Sequence, residues 1–211
     1  AGVERCFSMG RSVILIDQRG AGMSEGKICS FGINERRDCL SWIEFATRKF
    51  GKDRPLIIGG VSMGAATVMM ASGDNLPDNV VCVMADCGYS SAKEIICKVV
   101  AEMKLPPRLL YPFIRLGARL FGHFATEFMP PIEAVKKARV PIIFIHGDAD
   151  GWAAMNSVKC WEKLRRMGIQ SDLHTLAGRG HCFQFKAMPG TGSYTWLGRI
   201  WEFMNHKGFN R

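Results

Sequence analysis

The chain has 211 residues, of which 47% are hydrophobic and 22% are charged. A chain of this length can bury a core without disulfide support, and this balance of residues excludes an intrinsically disordered protein. No apolar run is long enough to cross a bilayer, so we expect one domain over residues 1–211 and no membrane span. The net charge is +9, but the basic residues are scattered over several segments, which argues against nucleic-acid binding.

Five short apolar runs in chain order predict the strands of one sheet. Four of them are continuously apolar, as expected for strands covered on both faces of a mainly parallel sheet. These four are Ser12–Asp17, Leu56–Val61, Val80–Asp86 and Pro141–His146. The fifth run, Ser171–Leu176, is more polar and is predicted to lie nearer an edge of the sheet.

Helical patterns alternate with these runs over Asn34–Phe50, Met63–Ser72, Ala153–Met167 and Thr195–Asn205. This alternation predicts an α/β domain with helices on both faces of the sheet. Residues 88–131 depart from the pattern, because they contain five prolines and no strand-like run. We predict that this stretch is a helical cap insertion.

Eight cysteines are spread along the chain without a C-x-x-C pair and without the spacing of a zinc site. Several lie in apolar runs, where a free thiol behaves as a small hydrophobic side chain. Unpaired thiols are typical of a reducing compartment, so we expect a cytoplasmic protein.

The strand Leu56–Val61 leads into the helix Met63–Ser72 through a G-x-S-x-G sequence, Gly60 to Gly64. A sharp strand-to-helix turn needs small neighbours, so we expect Gly60 and Gly64 to let the strand and helix pack closely. The hydroxyl of Ser62 would then project above the carboxyl edge of the sheet as a nucleophile. The backbone N–H of Met63, at the helix N-terminus, is the predicted oxyanion donor. The alternative is an ordinary helix-capping serine.

A serine nucleophile needs a base and an acid that orients the base, and both should lie on loops after later strands. His181 is the predicted base, because it lies in a glycine-flanked loop after the fifth run. Asp150 is the predicted acid, in the loop after Pro141–His146. Asp148 is a rival that could instead bridge the loop, and Asp86, at the end of the third run, is a second rival. The remaining histidines are less suitably placed for a base: His123, His146, His174 and His206.

Four blocks in this order resemble the α/β-hydrolase superfamily, and small bacterial serine esterases in particular. They are Asp17–Ser24 (DQRGAGMS), the G-x-S-x-G turn, the His-Gly-x-x-Asp that ends at Asp150, and the Gly-His that ends at His181. The resemblance implies hydrolysis of a small-molecule carboxylic ester through an acyl-serine intermediate, with a Ser62, Asp150 and His181 triad and with no metal or organic cofactor. The stretch from about Gly151 onward is more similar to hydrolases of carbohydrate esters.

The resemblance also implies earlier strands and a His-Gly loop that supplies a second oxyanion donor, yet only eleven residues precede Ser12. The sequence assigns no residue to that donor. A sheet without its first strands would expose an edge, which predicts self-association. Two alternative functions stay open: a catalytically silent domain that binds a ligand, and a triad used for acyl transfer, thioester cleavage or peptide hydrolysis.

Apolar side chains of the insertion are expected to wall an acyl pocket, with packing over the sheet as the alternative role. These side chains belong to Leu105, Leu109, Leu110, Tyr111, Phe113 and Phe121.

Overall fold

The computed structural model describes residues 6–7, 10–182, 202 and 205–206. In these residues a parallel sheet contains, in spatial order, β1 (Leu56–Val61), β2 (Val80–Asp86), β3 (Ile142–Gly147) and β4 (Ser171–Leu176). The more polar run, β4, lies at the end of this order, as predicted. Because the strands are parallel, their carboxyl ends meet along one edge of the sheet.

The helices within residues 10–182 are α1 (Glu35–Phe50), α2 (Met63–Ser72), α3 (Ala92–Glu102), α4 (Pro107–Leu120), α5 (Pro131–Ala134) and α6 (Trp152–Arg166). Single 3-10 turns follow α5, at Val135–Lys137, and β3, at Asp148–Asp150. Helices α1, α2 and α6 lie within one residue of their predicted bounds. The predicted helix over Thr195–Asn205 falls outside the continuous described stretch. None of the helices in the described stretch is long and apolar enough to cross a membrane.

The core forms where α2 and α6 pack against one face of the sheet. The side chains of this layer are Ala65, Ala66, Met69, Val83, Ala85, Phe144, Cys160 and Leu164. The alternate residues of β3, Ile143 and Ile145, point to the opposite face and are equally buried. The central strands are therefore covered on both faces, as their continuous apolar runs predicted.

The segment Ser12–Asp17 is not a strand, contrary to the prediction. It pairs with none of the four described strands, and the Leu15 side chain is 75% exposed. A strand needs a neighbouring backbone that bonds its N–H and C=O groups, so apolar composition alone does not make this segment a strand. Within the described residues β1 pairs only with β2, and self-association through its free edge stays a prediction.

The insertion over residues 88–131 contains α3 and α4, which pack together through Ile96, Val100 and Tyr111. The Tyr111 hydroxyl lies 2.7 Å from the Thr126 hydroxyl and donates to Glu127 at 3.0 Å. Tyr111 is therefore part of the insertion's own small core. The other apolar side chains named for the acyl pocket are exposed, apart from the half-buried Leu110, and their pocket role stays a prediction.

Candidate active site

Ser62 occupies the turn between β1 and α2 in a backbone conformation that side chains rarely adopt, with φ 54° and ψ −113°. Such strain, of order 1–3 kcal/mol, persists only where the surrounding structure fixes it. Part of that fixing comes from the Ser62 N–H, which donates to the Asp86 carbonyl at 2.8 Å. The turn is thus tied to the carboxyl end of β2.

The two glycines of the turn do different things. A Cβ on Gly60 would lie 2.2 Å from the backbone of Gly64, so only glycine fits at position 60. A Cβ on Gly64 would meet nothing within 4 Å. The prediction that both positions need glycine for close packing is right for Gly60 and wrong for Gly64, because it is the Gly64 carbonyl group that crowds Gly60.

The structure brings Ser62, His181 and Asp150 into one hydrogen-bonded chain. The Ser62 Oγ lies 3.0 Å from His181 Nε2, and His181 Nδ1 lies 2.7 Å from Asp150 Oδ2. The Asp150 side chain is 8% exposed, whereas that of His181 is 45% exposed. The hydrogen bonds therefore connect a solvent-accessible imidazole to a buried carboxylate.

A second histidine, His146, supports the same carboxylate. Its Nε2 lies 2.6 Å from Asp150 Oδ2, and its Nδ1 lies 2.7 Å from the Ser157 hydroxyl. The side chain is fully buried, and this burial lowers the pKa of His146 despite the nearby Asp150 charge. Sequence reasoning set His146 aside because it closes a strand. Its spacing of four residues from Asp150, across a tight turn, was the pattern that could have revealed it.

These contacts indicate which ring nitrogen of each histidine carries a proton. A neutral His146 donates from Nε2 to Asp150 and accepts the Ser157 hydroxyl proton at Nδ1. Asp150 Oδ2 also accepts from Nδ1 of His181, which leaves Nε2 of His181 free to accept the Ser62 proton. An imidazole held in this tautomer can remove a proton from the serine hydroxyl.

The two rival acids, Asp148 and Asp86, have other surroundings. Asp148 Oδ1 accepts from the Gly178 N–H at 2.6 Å and so bridges two loops. Asp86 is 4% exposed, and neither of its carboxyl oxygens has a well-formed hydrogen bond to a described residue. Burial raises the pKa of Asp86 to about 7, the Cys87 thiol opposes this shift, and the charge of Asp150 adds to it.

The loop that carries His181 rests directly on the end of β3. A Cβ on Gly147 would lie 2.1 Å from the Arg179 carbonyl oxygen, and the Ala149 N–H donates to that oxygen at 3.0 Å. Glycine at position 147 therefore permits the close approach that brings His181 to Asp150.

Met63 is the first residue of α2, so its N–H has no acceptor within the helix. It directly follows Ser62 at the positive end of the helix dipole, where a negative charge is stabilised. Its side-chain sulfur lies 3.1 Å from Cys29 Sγ. The backbone N–H thus lies at the helix N-terminus, and its role as an oxyanion donor stays a prediction.

A groove of about 770 Å³ lies apart from these residues, between the segment over residues 17–28 and α1. Its lining includes Asp17, Arg19, Trp42 and Phe45, and the Arg19 guanidinium bonds both oxygens of Asp38 at 2.5 Å. The groove includes none of Ser62, His181 and Asp150, so it is separate from the candidate active site.

A family model described as alpha/beta hydrolase fold matches residues 2–122. A curated Bacillus subtilis (strain 168) protein, named "Uncharacterized protein YqkD", is 28% identical over 161 residues, which cover 75% of this chain and 53% of that protein. The chain therefore spans about half the length of this relative.

Solved structures share the fold at lower identity. An esterase from Pyrococcus furiosus has a TM-score of 0.67 and 20% identity, over 97% of this chain and 73% of its own. A lipase-esterase related protein from Clostridium acetobutylicum has a TM-score of 0.66 and 16% identity, over 96% and 87%. An acylaminoacyl peptidase from Pyrococcus horikoshii has a TM-score of 0.58 and 15% identity, over 83% and 28%. The family model matches more than half of the sequence, and this chain belongs to the α/β-hydrolase fold family.

Proposed function

We propose that this chain is a serine hydrolase that cleaves carboxylic esters through an acyl-serine intermediate. The observation that carries the proposal is the hydrogen-bonded chain from Ser62 through His181 to Asp150, with links of 3.0 and 2.7 Å. A serine hydroxyl becomes a strong nucleophile only when a base removes its proton, and the base needs a partner that fixes its orientation. The contacts of the three side chains support this assignment.

In the first half of the reaction, Ser62 Oγ attacks the ester carbonyl carbon while His181 Nε2 takes its proton. The oxyanion that forms accepts a hydrogen bond from the Met63 N–H. The tetrahedral intermediate then collapses, the carbon–oxygen bond to the alcohol breaks, and His181 returns the proton to the leaving alcohol.

In the second half, water attacks the acyl-serine carbonyl while His181 takes one of its protons. The second tetrahedral intermediate collapses, the bond to Ser62 Oγ breaks, and the serine recovers its proton from His181. Asp150 stays ionised and stabilises the imidazolium in both halves.

Esters are the substrate class that the relatives favour. The two structures that cover nearly the whole chain carry the words esterase and lipase-esterase in their names. The peptidase match covers less of this chain, 83%, and only 28% of the peptidase's own length.

The direct test is labelling with a fluorophosphonate probe, followed by turnover of p-nitrophenyl acetate and butyrate. We expect the wild-type chain to be labelled and to hydrolyse both esters, and Ser62→Ala to do neither. A wild-type chain that is folded but shows no labelling dependent on Ser62 would refute the proposal. Faster cleavage of peptide p-nitroanilides than of the esters would refute the ester assignment and favour a peptidase.

The acid is tested with a matched pair of variants. Asp150 and Asp148 lie two residues apart in the same 3-10 turn, but only Asp150 bonds His181. Asp150→Asn should lower kcat by about 10⁴-fold, the loss typical when a triad aspartate becomes an amide. Asp148→Asn should retain most of the activity. A larger loss from Asp148→Asn, or from Asp86→Asn, would show that the acid is assigned wrongly.

A further inference from the structure

Two cysteines that the proposed mechanism does not use lie beside its base. Cys87 directly follows β2, with φ 44°, and Cys182 directly follows His181. Their sulfur atoms are 3.6 Å apart, although 95 positions separate them in the sequence. A ring nitrogen of His181 and the two sulfur atoms all lie within 4.8 Å of one another. Two thiols and one imidazole therefore converge next to Ser62.

The distance between the two sulfur atoms suits a tetrahedral metal ion. Two thiolates bound to Zn²⁺ at about 2.3 Å, with tetrahedral angles, lie about 3.8 Å apart. The observed 3.6 Å is close to this value, and well beyond the about 2.05 Å of a disulfide bond. Thiolate and imidazole ligands select zinc over the hard cations calcium and magnesium.

We propose that Cys87, Cys182 and His181 form a Zn²⁺ site, and that zinc bound there inhibits the hydrolase by withdrawing its base. The inhibition rests on the proposed function, whereas the metal site does not. Three protein ligands would leave the fourth position of the ion to water.

Either nitrogen of His181 gives the same outcome. If zinc binds Nε2, it occupies the lone pair that accepts the Ser62 proton. If zinc binds Nδ1, that nitrogen loses its proton and with it the hydrogen bond to Asp150 that fixes the tautomer. In both cases Ser62 loses the base that activates it.

Access and charge both favour this ion. Cys182 is half-buried and His181 is exposed, so a cation can enter from their side, while Cys87 is 2% exposed and closes the site from within. Asp150 bonds His181 and so lies beside the ligands. A carboxylate in this position helps to stabilise a divalent cation.

The binding test uses Co²⁺ as a spectroscopic substitute for zinc, added to the 211-residue chain under a phosphine reductant. We expect one equivalent to give thiolate-to-cobalt charge-transfer bands and the strong visible bands of tetrahedral Co²⁺, and zinc to displace it. Bound cobalt without thiolate bands, or no saturable binding at all, would overturn the site.

Variants locate the ligands. Loss of an outer hydrogen-bond partner typically lowers metal affinity 10- to 100-fold, so loss of a ligand in Cys182→Ser or Cys87→Ser should weaken zinc binding by at least about tenfold. Cys97→Ser is the matched control, since Cys97 is a partly buried free cysteine on α3, and it should bind as the wild type does. If Cys87→Ser fails to fold, Cys182→Ser decides, because Cys182 lies in a surface turn. Unchanged affinity in Cys182→Ser would overturn the proposal.

Inhibition is measured separately from binding. Zinc should reduce both ester turnover and fluorophosphonate labelling of the wild type, a chelator should restore them, and Cys182→Ser should need at least about tenfold more zinc for the same effect. Zinc that binds with the cobalt signature but leaves turnover unchanged would refute the inhibition and keep the site. A chain that binds zinc but never labels at Ser62 would instead show that the proposed hydrolase function fails.

Discussion

Asp86 makes the stability of the fold depend on pH in a direction opposite to that of an ordinary ion-paired carboxylate. Burial raises its pKa from 3.8 to about 7. In the unfolded chain the carboxyl group loses its proton near pH 4, whereas in the folded chain it keeps the proton up to about pH 7. Between these values the folded state binds more protons, so its stability falls as the pH rises.

The size of this effect follows from the shift. About three pKa units, at about 1.4 kcal/mol per unit, correspond to as much as about 4 kcal/mol of stability that is lost between pH 4 and pH 8. Asp86→Asn removes the titration. The buried amide lowers the stability by the same amount at every pH. The prediction therefore concerns how the free energy of unfolding changes with pH, and not its value at one pH.

The measurement is urea unfolding, followed by circular dichroism at several pH values from 4.5 to 8.5, in buffer with EDTA so that no metal adds a charge. We expect the free energy of unfolding of Asp86→Asn relative to the wild type to increase from pH 4.5 to about pH 7 and to level off above about pH 8. Asp53→Asn, at an exposed turn position, is the control and should change little with pH. If the two variants have the same pH dependence, Asp86 is ionised in the folded state at neutral pH and the reasoning is wrong.

Three further predictions follow from the packing around the turn and the base. Gly60→Ala should abolish folding or destabilise the folded chain by several kcal/mol, because the added Cβ overlaps the backbone of Gly64. Gly64→Ala should leave the stability unchanged or raise it by up to about 1 kcal/mol, because alanine favours a helix more than glycine does. Equal effects of the two variants in thermal unfolding would contradict this prediction. Gly147→Ala should displace the His181 loop and lower kcat even where the fold survives, and unchanged ester turnover would count against it. His146→Phe should lower kcat with little change in KM and should shift the pH profile of kcat/KM, because His146 positions Asp150. An unchanged pH profile would show that His146 has only a structural role.

Much of the candidate site could be predicted because each of its parts is a short sequence motif and the topology that brings these motifs together is simple. The bounds of β1 and α2 were predicted to the residue, since the G-x-S-x-G turn between them marks both ends. Loops after parallel strands meet at one edge, so the sequence order alone placed Asp150 and His181 near Ser62. The strand over Ser12–Asp17 was predicted wrongly because a strand depends on a neighbour, and the sequence pattern carries no information about whether that neighbour is present.

What the sequence could not supply are the contacts between side chains whose separation along the chain carries no pattern. Cys87 and Cys182 lack any zinc-type spacing, yet the strand ends that bring Ser62, Asp150 and His181 together also bring these two cysteines together, because one follows β2 and the other follows His181. The buried state of Asp86 has the same origin, since its strand is central and its end is covered. Because Cys182 directly follows His181, the loop that places His181 beside Ser62 also places Cys182 at the same edge of the sheet. The proposed zinc site and the proposed triad therefore depend on the same loop.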